Sequence, residues 1–403
     1  MELFWLEHKK LWRKKIVKIC VLLCFVYCVI FGSILSFQWF SFGSSDDYTS
    51  AFGNNFDGYT VIKDSQEYAL SFGGELTDET LQQIVSDYQQ MEADGMEEEL
   101  EKTDWQIVNS WLGTLYPELR DTSNYKTMIS YVDPDKLTGF YERRQQVLDE
   151  FLEVSGQVGA EKEFLHQIER KVEKPFHYEW VEGWSTLLGS MVADLGVVMA
   201  LFLGIVLSSL FAGEWRDNTS TLVLTTRNGW GKIALAKILT GLAFTVELFA
   251  LLAVSSVISQ LFFMGTAGWD MPIQNIKLIA VAPMNMLQAE IYEYAFVLLG
   301  AIGFAGIVMF ISAAVKNNVL TLLLSLAVVY GPMMIAEYLP YGMQKALDLI
   351  PLVGSSTDIF RTNTFRIFGK LIWSPYLLIT IPVLIGILCM PFAIKSWSRR
   401  MKA

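Results

Sequence analysis

The sequence predicts an all-α polytopic membrane protein with six transmembrane helices and a large, mostly helical extracytoplasmic domain between the first two. Four stretches of about 20 residues or more lack Asp, Glu, Lys and Arg, and two further long apolar stretches each contain a single acid. A hydrocarbon core about 30 Å thick needs about 20 apolar helical residues to cross it, and these stretches lack the alternation of a barrel strand. The predicted spans are 16–40, 187–213, 234–263, 292–315, 318–338 and 372–395.

The distribution of positive charge predicts the orientation. Fifteen Lys and Arg residues lie in the segments that this arrangement places on the inner side, and five lie in the two short outer loops. Because inner loops of membrane proteins are enriched in Lys and Arg, the N- and C-termini are expected in the cytoplasm. The expected location is a bacterial cytoplasmic membrane, with the lipid bilayer as a partner.

The net charge of −11 hides two regions of opposite sign. Residues 41–183 contain 11 Lys and Arg and 30 Asp and Glu, a net charge of −19. The predicted organisation is an interfacial N-terminal helix at 1–15, a first transmembrane helix at 16–40, an acidic extracytoplasmic domain at 41–183 and a membrane domain at 184–403. The acidity favours a cationic ligand such as a basic peptide, although an exposed domain also carries charge simply to stay soluble.

The acidic region has the pattern of a folded helical domain, since aromatic residues run through it. Apolar residues from Leu81 to Tyr88 follow helical spacing, and Thr77 precedes them as a candidate N-cap. Similar patterns begin at Trp105, Leu137 and Phe164.

The most specific segment is 211–239, FAGEWRDNTSTLVLTTRNGWGKIALAKIL, between the second and third spans. It resembles the first cytoplasmic loop of ABC-2 type transport permeases, the membrane subunits of ATP-binding cassette exporters. The matching residues are Phe211, Glu214, Asn218, Thr219, Leu222, Leu224, Thr225, Arg227, Lys232, Ala236 and Lys237. Asn218 and Arg227-Asn228 depart from the family pattern, which more often has Gly and Pro there.

The resemblance implies that residues 214–232 form a cytoplasmic coupling loop that docks on a separate ATP-binding subunit. That subunit would bind ATP and Mg²⁺, and this chain would be a transport subunit with no cofactor and no ATPase site of its own. A second permease subunit, identical or different, is expected to complete the path. The residues expected to contact the ATPase are Glu214, Arg216, Thr219, Leu222, Leu224 and Arg227.

The segment 340–371 is too weakly apolar to span, and the resemblance implies a pair of short re-entrant or interfacial helices there. The same resemblance, together with the acidic insert, makes export of a cationic peptide or drug, or resistance to it, the expected function. A sensor or receptor for an extracellular ligand and a sodium or small-cation extrusion permease are the alternatives.

Small residues recur every four positions along the second span, at Gly196, Ala200, Gly204 and Ser208. Such a stripe lets another helix approach closely, either from a partner subunit or from the same bundle. A second and less regular stripe of glycines lies at 300–306.

Two acids lie inside predicted spans, Asp194 and Glu247. An ionised acid in a membrane is costly, so each is expected to face the bundle, a cavity or a partner. A cation or substrate path and a hydrogen-bonded structural acid are both consistent with the pattern. Glu290 and Glu293 are expected at the outer membrane edge, where charge is ordinary.

The motifs of several function classes are missing. The sequence contains no G-x-x-x-x-G-K-[ST], HExxH or G-x-S-x-G pattern, which excludes P-loop nucleotide binding and two common hydrolase mechanisms. The three His residues are far apart, so no catalytic residue or metal site is predicted. The features indicate a membrane protein, and no nucleic-acid partner is expected.

Overall fold

The computed structural model describes residues 2–42, 62–63, 66–67, 73–96, 105–121, 126–217, 219, 231–354, 360 and 363–399. The helices are α1 (Glu2–Arg13), α2 (Lys15–Phe42), α3 (Asp78–Ala93), α4 (Trp105–Leu115), α5 (Phe140–Val154), α6 (Ala160–Glu169), α7 (Glu182–Thr186), α8 (Val192–Arg216), α9 (Lys232–Met264), α10 (Met286–Val315), α11 (Asn318–Ile335), α12 (Tyr341–Leu347) and α13 (Ser374–Arg399). The strands are β1 (Gly74–Leu76), β2 (Phe176–Tyr178), β3 (Thr364–Ile367) and β4 (Lys370–Trp373).

Five of these helices, α8, α9, α10, α11 and α13, are long and apolar enough to cross a membrane. They confirm a helical, multi-pass membrane protein and coincide with the five predicted spans after the first. The helix α2, of 28 residues, covers the first predicted span. Several boundaries differ by a few residues. The largest difference is at α10, which begins at Met286 rather than at 292, because Asn285 and Gln288 form a reciprocal capping box that starts the helix earlier.

The helix α10 is the centre of the bundle, and it packs against α8 and α13, while α9 packs against α2. Glycines allow α10 and α13 to touch through their backbones. A Cβ atom on Gly303 would lie 2.3 Å from the carbonyl oxygen of Pro382, and one on Gly306 would lie 2.4 Å from that of Gly386. The glycine stripe at 300–306 is therefore a packing seam inside this chain.

A second layer consists of α3–α6 and the antiparallel pair β1–β2. The predicted cap at Thr77 is confirmed, since its hydroxyl accepts the N–H of Thr80 at 3.2 Å. The carboxylate of Asp78 accepts the N–H groups of Gly139 and Phe140 at 2.7 and 2.9 Å, which satisfies the start of α5. Gly139 has φ +72°, a left-handed conformation that glycine adopts at little cost.

The segment 265–285, which joins α9 to α10, is buried against this layer. The indole N–H of Trp111 donates to the carbonyl of Asn275 at 3.0 Å. The guanidinium of Arg144 donates to the carbonyls of Leu278 and Ala280 at 2.7 and 3.1 Å. The layer therefore includes residues that come after α9 in the chain.

Within the segment 340–371, the structure describes residues 340–354, 360 and 363–371. These residues contain one short helix, α12, and the beginning of the antiparallel hairpin β3–β4, which ends at Trp373, where the resemblance implied a pair of helices. Phe368 and Gly369 at the turn both have positive φ, 49° and 80°, as in the two-residue turns that suit tight hairpins. Alternating apolar residues and this turn favour strands, and the hydroxyl of Thr364 anchors the hairpin to the side chain of Gln157 at 2.8 Å.

Candidate functional site

Three elements meet where the segment 217–231 leaves and rejoins the bundle: the end of α8, the beginning of α9 and α1. Glu214 lies in the last turn of α8, and Lys237 lies in the second turn of α9. Both are charged and almost fully buried, with 4% and 1% of their surface exposed. Buried charges are stable only when they are paired and hydrogen-bonded, so the partners of these two residues define the site.

The partners form a neutral network of two acids and two lysines. Glu214 Oε1 lies 2.5 Å from Lys10 Nζ and 2.8 Å from Lys237 Nζ. The same Lys237 Nζ lies 2.7 Å from Glu7 Oε2, and the hydroxyl of Thr219 donates to Glu214 Oε2. We call Glu7, Lys10, Glu214 and Lys237 the ion network.

The ion network attaches α1 to the bundle. Burial alone would lower the pKa of Lys10, but the hydrogen bond to Glu214 and the attraction of Glu214 and Glu7 raise it above its ordinary value. The next lysine, Lys14, donates to the hydroxyl of Ser209 at 3.0 Å. Its burial, together with repulsion by Lys237 and Lys10, lowers the pKa of Lys14 from 10.5 to about 8.

A second contact joins α1 to the middle of α9. Trp12 Nε1 donates to Glu247 Oε2 at 3.0 Å, and His8 Nε2 lies 3.2 Å from Glu247 Oε1. Trp12 also packs edge-on against Phe244, with ring centroids 5.9 Å apart. Glu247, predicted as an intramembrane acid, is thus partnered by the N-terminal helix, and 42% of its side chain is exposed.

The end of α8 is also fixed to the ends of α10 and α13. The hydroxyl of Ser312 donates to the carbonyl of Ser208 at 2.7 Å. The rings of Phe211 and Trp397 lie 5.5 Å apart, and Lys316 Nζ lies 4.2 Å from the ring of Trp215. A displacement of the α8 end is therefore transmitted to α1, α9, α10 and α13 through direct contacts.

The predicted coupling residues divide into two groups. Glu214 and Thr219 belong to the ion network or contact it, whereas Arg216 is exposed and pairs with the adjacent Asp217 at 2.9 Å. The remaining three lie outside the described residues: Leu222, Leu224 and Arg227.

The predicted packing stripe of α8 lies partly within this chain. Ala200 is buried, and a Cβ atom on Gly204 would lie 3.2 Å from the side chains of Leu322 and Leu326 of α11. Ser208 donates to the carbonyl of Ile205 within its own helix. A Cβ atom on Gly196 would meet nothing within 4 Å. The side chain of Asp194 lies outside the part of the chain that the structure describes.

The sequence did not indicate two buried acids in the first turns of α10. Glu290 and Glu293 are 3% and 0% exposed, so the expectation of ordinary charge at the membrane edge is not met. They are covered because α10 starts early and the segment 265–285 packs nearby. The spacing of two acids three residues apart in an otherwise apolar helix was the available signal.

A cavity of about 380 Å³ lies between β2 and the segment 265–285. Lys171, Glu173, His177 and Asp270 contribute charged or titratable groups to its wall. Gln274 is fully buried in the wall, and its Oε1 has no hydrogen-bond partner among the described residues. The carboxylates of Glu173 and Asp270 are the acidic groups in this wall.

No protein-family model, curated protein or solved structure matches the chain.

Proposed function

We propose that the chain is the membrane-spanning subunit of an ABC-2 type exporter, driven by a separate ATP-binding subunit that docks on residues 214–232. Two observations support this proposal: the motif in the segment 211–239 and the ion network at the ends of that segment. In this proposal α2 is the first of six spans, α1 lies at the cytoplasmic membrane surface, and the layer of α3–α6 faces outward.

The contact between Glu214 and Lys237, 2.8 Å, is the observation that carries the proposal. It joins the last turn of α8 to the beginning of α9, so the two ends of the intervening segment move together. Lys10 and Glu7 attach α1 to the same pair. An ATPase that displaces the segment 217–231 would therefore act on two spans and on α1 simultaneously, which is the kind of rigid-body shift that couples nucleotide state to helix position.

Variants in the docking segment test this coupling. Leu222→Asp and Arg227→Glu should reduce copurification of the ATP-binding subunit and the ATP hydrolysis of the complex, while the melting temperature of this chain stays unchanged. Lys370→Glu, an exposed residue of β4, is the matched charge-reversal control. Unchanged assembly and hydrolysis in both docking variants, or ATP hydrolysis by the isolated chain, would contradict the proposal. Ligand-dependent signalling without an ATPase would favour the receptor alternative.

The orientation is tested by chemical accessibility. Glu153 and Asp217 are exposed on opposite sides of the bundle in the proposed arrangement. A cysteine at position 153 should react with a membrane-impermeant maleimide in intact cells, and one at position 217 should react only after lysis. The opposite pattern would invert the proposed topology.

The proposed substrate class is a cationic peptide or drug, because the region 41–183 has a net charge of −19. Attraction to this charge acts within roughly 8 Å at physiological salt. Glu173 and Asp270 bring two acids to the 380 Å³ cavity in the same layer. Binding of a cationic peptide to the full chain should weaken as salt rises, and Glu173→Gln with Asp270→Asn should weaken it further. Salt-independent binding, equal in both proteins, would remove this substrate class.

A further inference from the structure

Glu290 and Glu293 stand apart from the other buried acids of the chain. They lie three residues apart on α10, which places their side chains on neighbouring positions of one helix face. They are 3% and 0% exposed. Among the residues that the structure describes, the carboxyl oxygens of Glu293 have no hydrogen-bond partner, and the only hydrogen-bonding group beside Glu290 is the neutral hydroxyl of Tyr294.

A buried amide faces the same region from α9. Gln260 is 0% exposed, and both its Nε2 and its Oε1 have no partner in the described chain. Ser256 Oγ of α9 lies 3.1 Å from the hydroxyl of Tyr294 of α10, which fixes the level at which the two helices touch. Because consecutive helices joined by the segment 265–285 run in opposite directions, one turn toward that segment leads from Ser256 to Gln260 and from Tyr294 to Glu290. The amide and the carboxyl groups are thus at the same level of the same interface.

Such a set of groups is unstable without an additional charge or proton. Transfer of an ionised carboxylate into an apolar surrounding without a partner costs far more than transfer of a hydrogen-bonded neutral group. The buried Glu214 has two lysines within 2.8 Å, and the buried Glu169 has Arg144 Nη1 at 2.6 Å and Lys174 Nζ at 2.8 Å. At Glu290 and Glu293 the described residues supply no cation, so these two acids need either protons or a bound cation as a counter-charge.

We propose that Glu290, Glu293 and Gln260, with the hydroxyl groups of Ser256 and Tyr294, form a binding site for a hard metal cation. Every ligand atom that the cluster offers is oxygen, the preference of Ca²⁺ and of other hard cations, and it contains no His or Cys of the kind that transition metals favour. No group of three or more His, Cys, Asp or Glu residues in the described chain forms a conventional metal cluster. The neutral oxygens of Gln260, Ser256 and Tyr294 therefore complete the set around two acids.

Charge balance distinguishes two members of this class. A divalent Ca²⁺ would neutralise both carboxylates, whereas Na⁺ would neutralise one and leave a proton on the other. The site lies at the junction between the helix bundle and the layer of α3–α6, because Met286 and Ala289 of the same turns belong to the core shared with Leu148 and Leu165. A bound cation would therefore stabilise the contact between those two parts of the molecule. This proposal does not depend on the coupling to an ATPase.

The test uses the purified full-length chain in detergent, with NaCl, CaCl₂ and choline chloride compared at equal ionic strength. We expect Na⁺ or Ca²⁺ to raise the melting temperature saturably, and equilibrium dialysis with ²²Na⁺ or ⁴⁵Ca²⁺ to show one bound ion per chain. The doubly substituted chain, Glu290→Gln with Glu293→Gln, should lose at least tenfold in affinity. Glu247→Gln, which changes an acid that already has His8 and Trp12 as partners, should bind the ion as the parent chain does.

Each outcome decides the proposal. Saturable binding of either cation that is lost in the double variant supports it, and the cation that binds assigns the charge balance. If neither cation binds the parent chain, or if the double variant binds equally well, the site does not exist. If the double variant does not fold, Gln260→Leu and Glu293→Gln are compared with the parent, and unchanged affinity in both overturns the proposal.

Discussion

Buried acids at two places in the helix bundle have opposite surroundings. Where α8 ends, Glu214 is enclosed by Lys10, Lys237 and the hydroxyl of Thr219. Where α10 begins, Glu290 and Glu293 are equally buried but have no cationic partner among the described residues. Burial alone therefore does not identify the role of an acid in this protein. The supply of a counter-charge separates an acid that joins helices from one that binds a ligand.

The layer of α3–α6 supports this distinction. Arg144 and Glu169 are 0% and 3% exposed and pair at 2.6 Å, and Lys174 reaches the same carboxylate. These residues join α5, α6 and the segment 265–285. Among the three sites, only the one at α10 lacks a countercharge within the described chain.

The largest expected effect comes from removing the charge of Glu214 in the ion network. Glu214→Gln leaves Lys237 buried with only Glu7 as an acidic partner, and removal of one member of a buried ion pair costs about 3–5 kcal/mol. We expect a lower free energy of unfolding and faster proteolysis of α1 from the bundle, measured by denaturant titration and limited digestion.

A glutamine at position 293 should have a different effect, because Glu293 has no cationic partner among the described residues. In choline chloride, Glu293→Gln should leave the free energy of unfolding unchanged or raise it, since an amide replaces a carboxyl group that has no countercharge. A loss as large as that of Glu214→Gln would show that Glu293 is a structural partner of another group and would contradict the distinction between the two sites.

Arg144→Met should have the next largest effect, about 3 kcal/mol, because Glu169 loses one cation, the carbonyl of Leu278 loses the Arg144 donor and that of Ala280 keeps only Gln274. Hydrogen exchange should accelerate in the segment 265–285 and in α6. Arg366→Met is the control, since Arg366 pairs with Glu161 on the surface and such pairs contribute about 0–1 kcal/mol. Equal effects of the two substitutions would contradict the assignment of a buried structural pair.

A further prediction concerns the close contact between α10, which carries Glu290 and Glu293, and α13. Gly303→Ala would bring a methyl group to 2.3 Å from a backbone oxygen that cannot move aside independently, and overpacking of this kind costs about 1–3 kcal/mol. Gly113→Ala in α4 is the control, because a Cβ atom there meets nothing within 4 Å and alanine should stabilise the helix slightly. Thermal unfolding of the two variants measures the difference, and an unchanged melting temperature for Gly303→Ala would show that the seam is loose.

The last expected effect is a pH dependence at Lys14, beside the ion network. Because the pKa of Lys14 falls from 10.5 to about 8 on folding, the unfolded chain binds this proton more tightly between those values. The folded state should therefore gain stability as pH rises from about 8 to about 10.5, and the full penalty remains below about pH 8. Unfolding followed between pH 7 and 10.5 should show this gain in the parent chain and lose it in Lys14→Met. The same slope in both proteins would assign it to other groups.

The sequence predicted the helices that local hydrophobicity determines. An uncharged stretch such as 294–315 forms a helix when it crosses a membrane, so its sequence alone predicts α10. For α3, the cap at Thr77 and the helical spacing of apolar residues from Leu81 onward predicted the helix. The structure confirms the helical membrane fold. The outward position of the layer of α3–α6 and the role of the coupling residues remain predictions.

The sequence did not predict the features that depend on distant contacts. Glu290 and Glu293 are at a helix beginning that any local argument would place near solvent, and their burial requires the segment 265–285 and α9. The partners of Glu247 come from α1, more than 200 positions earlier. The hairpin β3–β4 had a local signal in its alternation and in Gly369, but the resemblance favoured helices there.

The late position of the segment 265–285 has a consequence for biosynthesis. The carbonyl that Trp111 requires lies 164 positions later in the chain, and those that Arg144 requires lie 134 and 136 positions later. At ribosomal rates this delay is on the order of 10 s, during which α4 and α5 have been made but their partners have not. A chain that terminates before residue 275 therefore has a layer open along one side, because the indole of Trp111 and the guanidinium of Arg144 lack these carbonyl partners and Leu278 is missing from the apolar core.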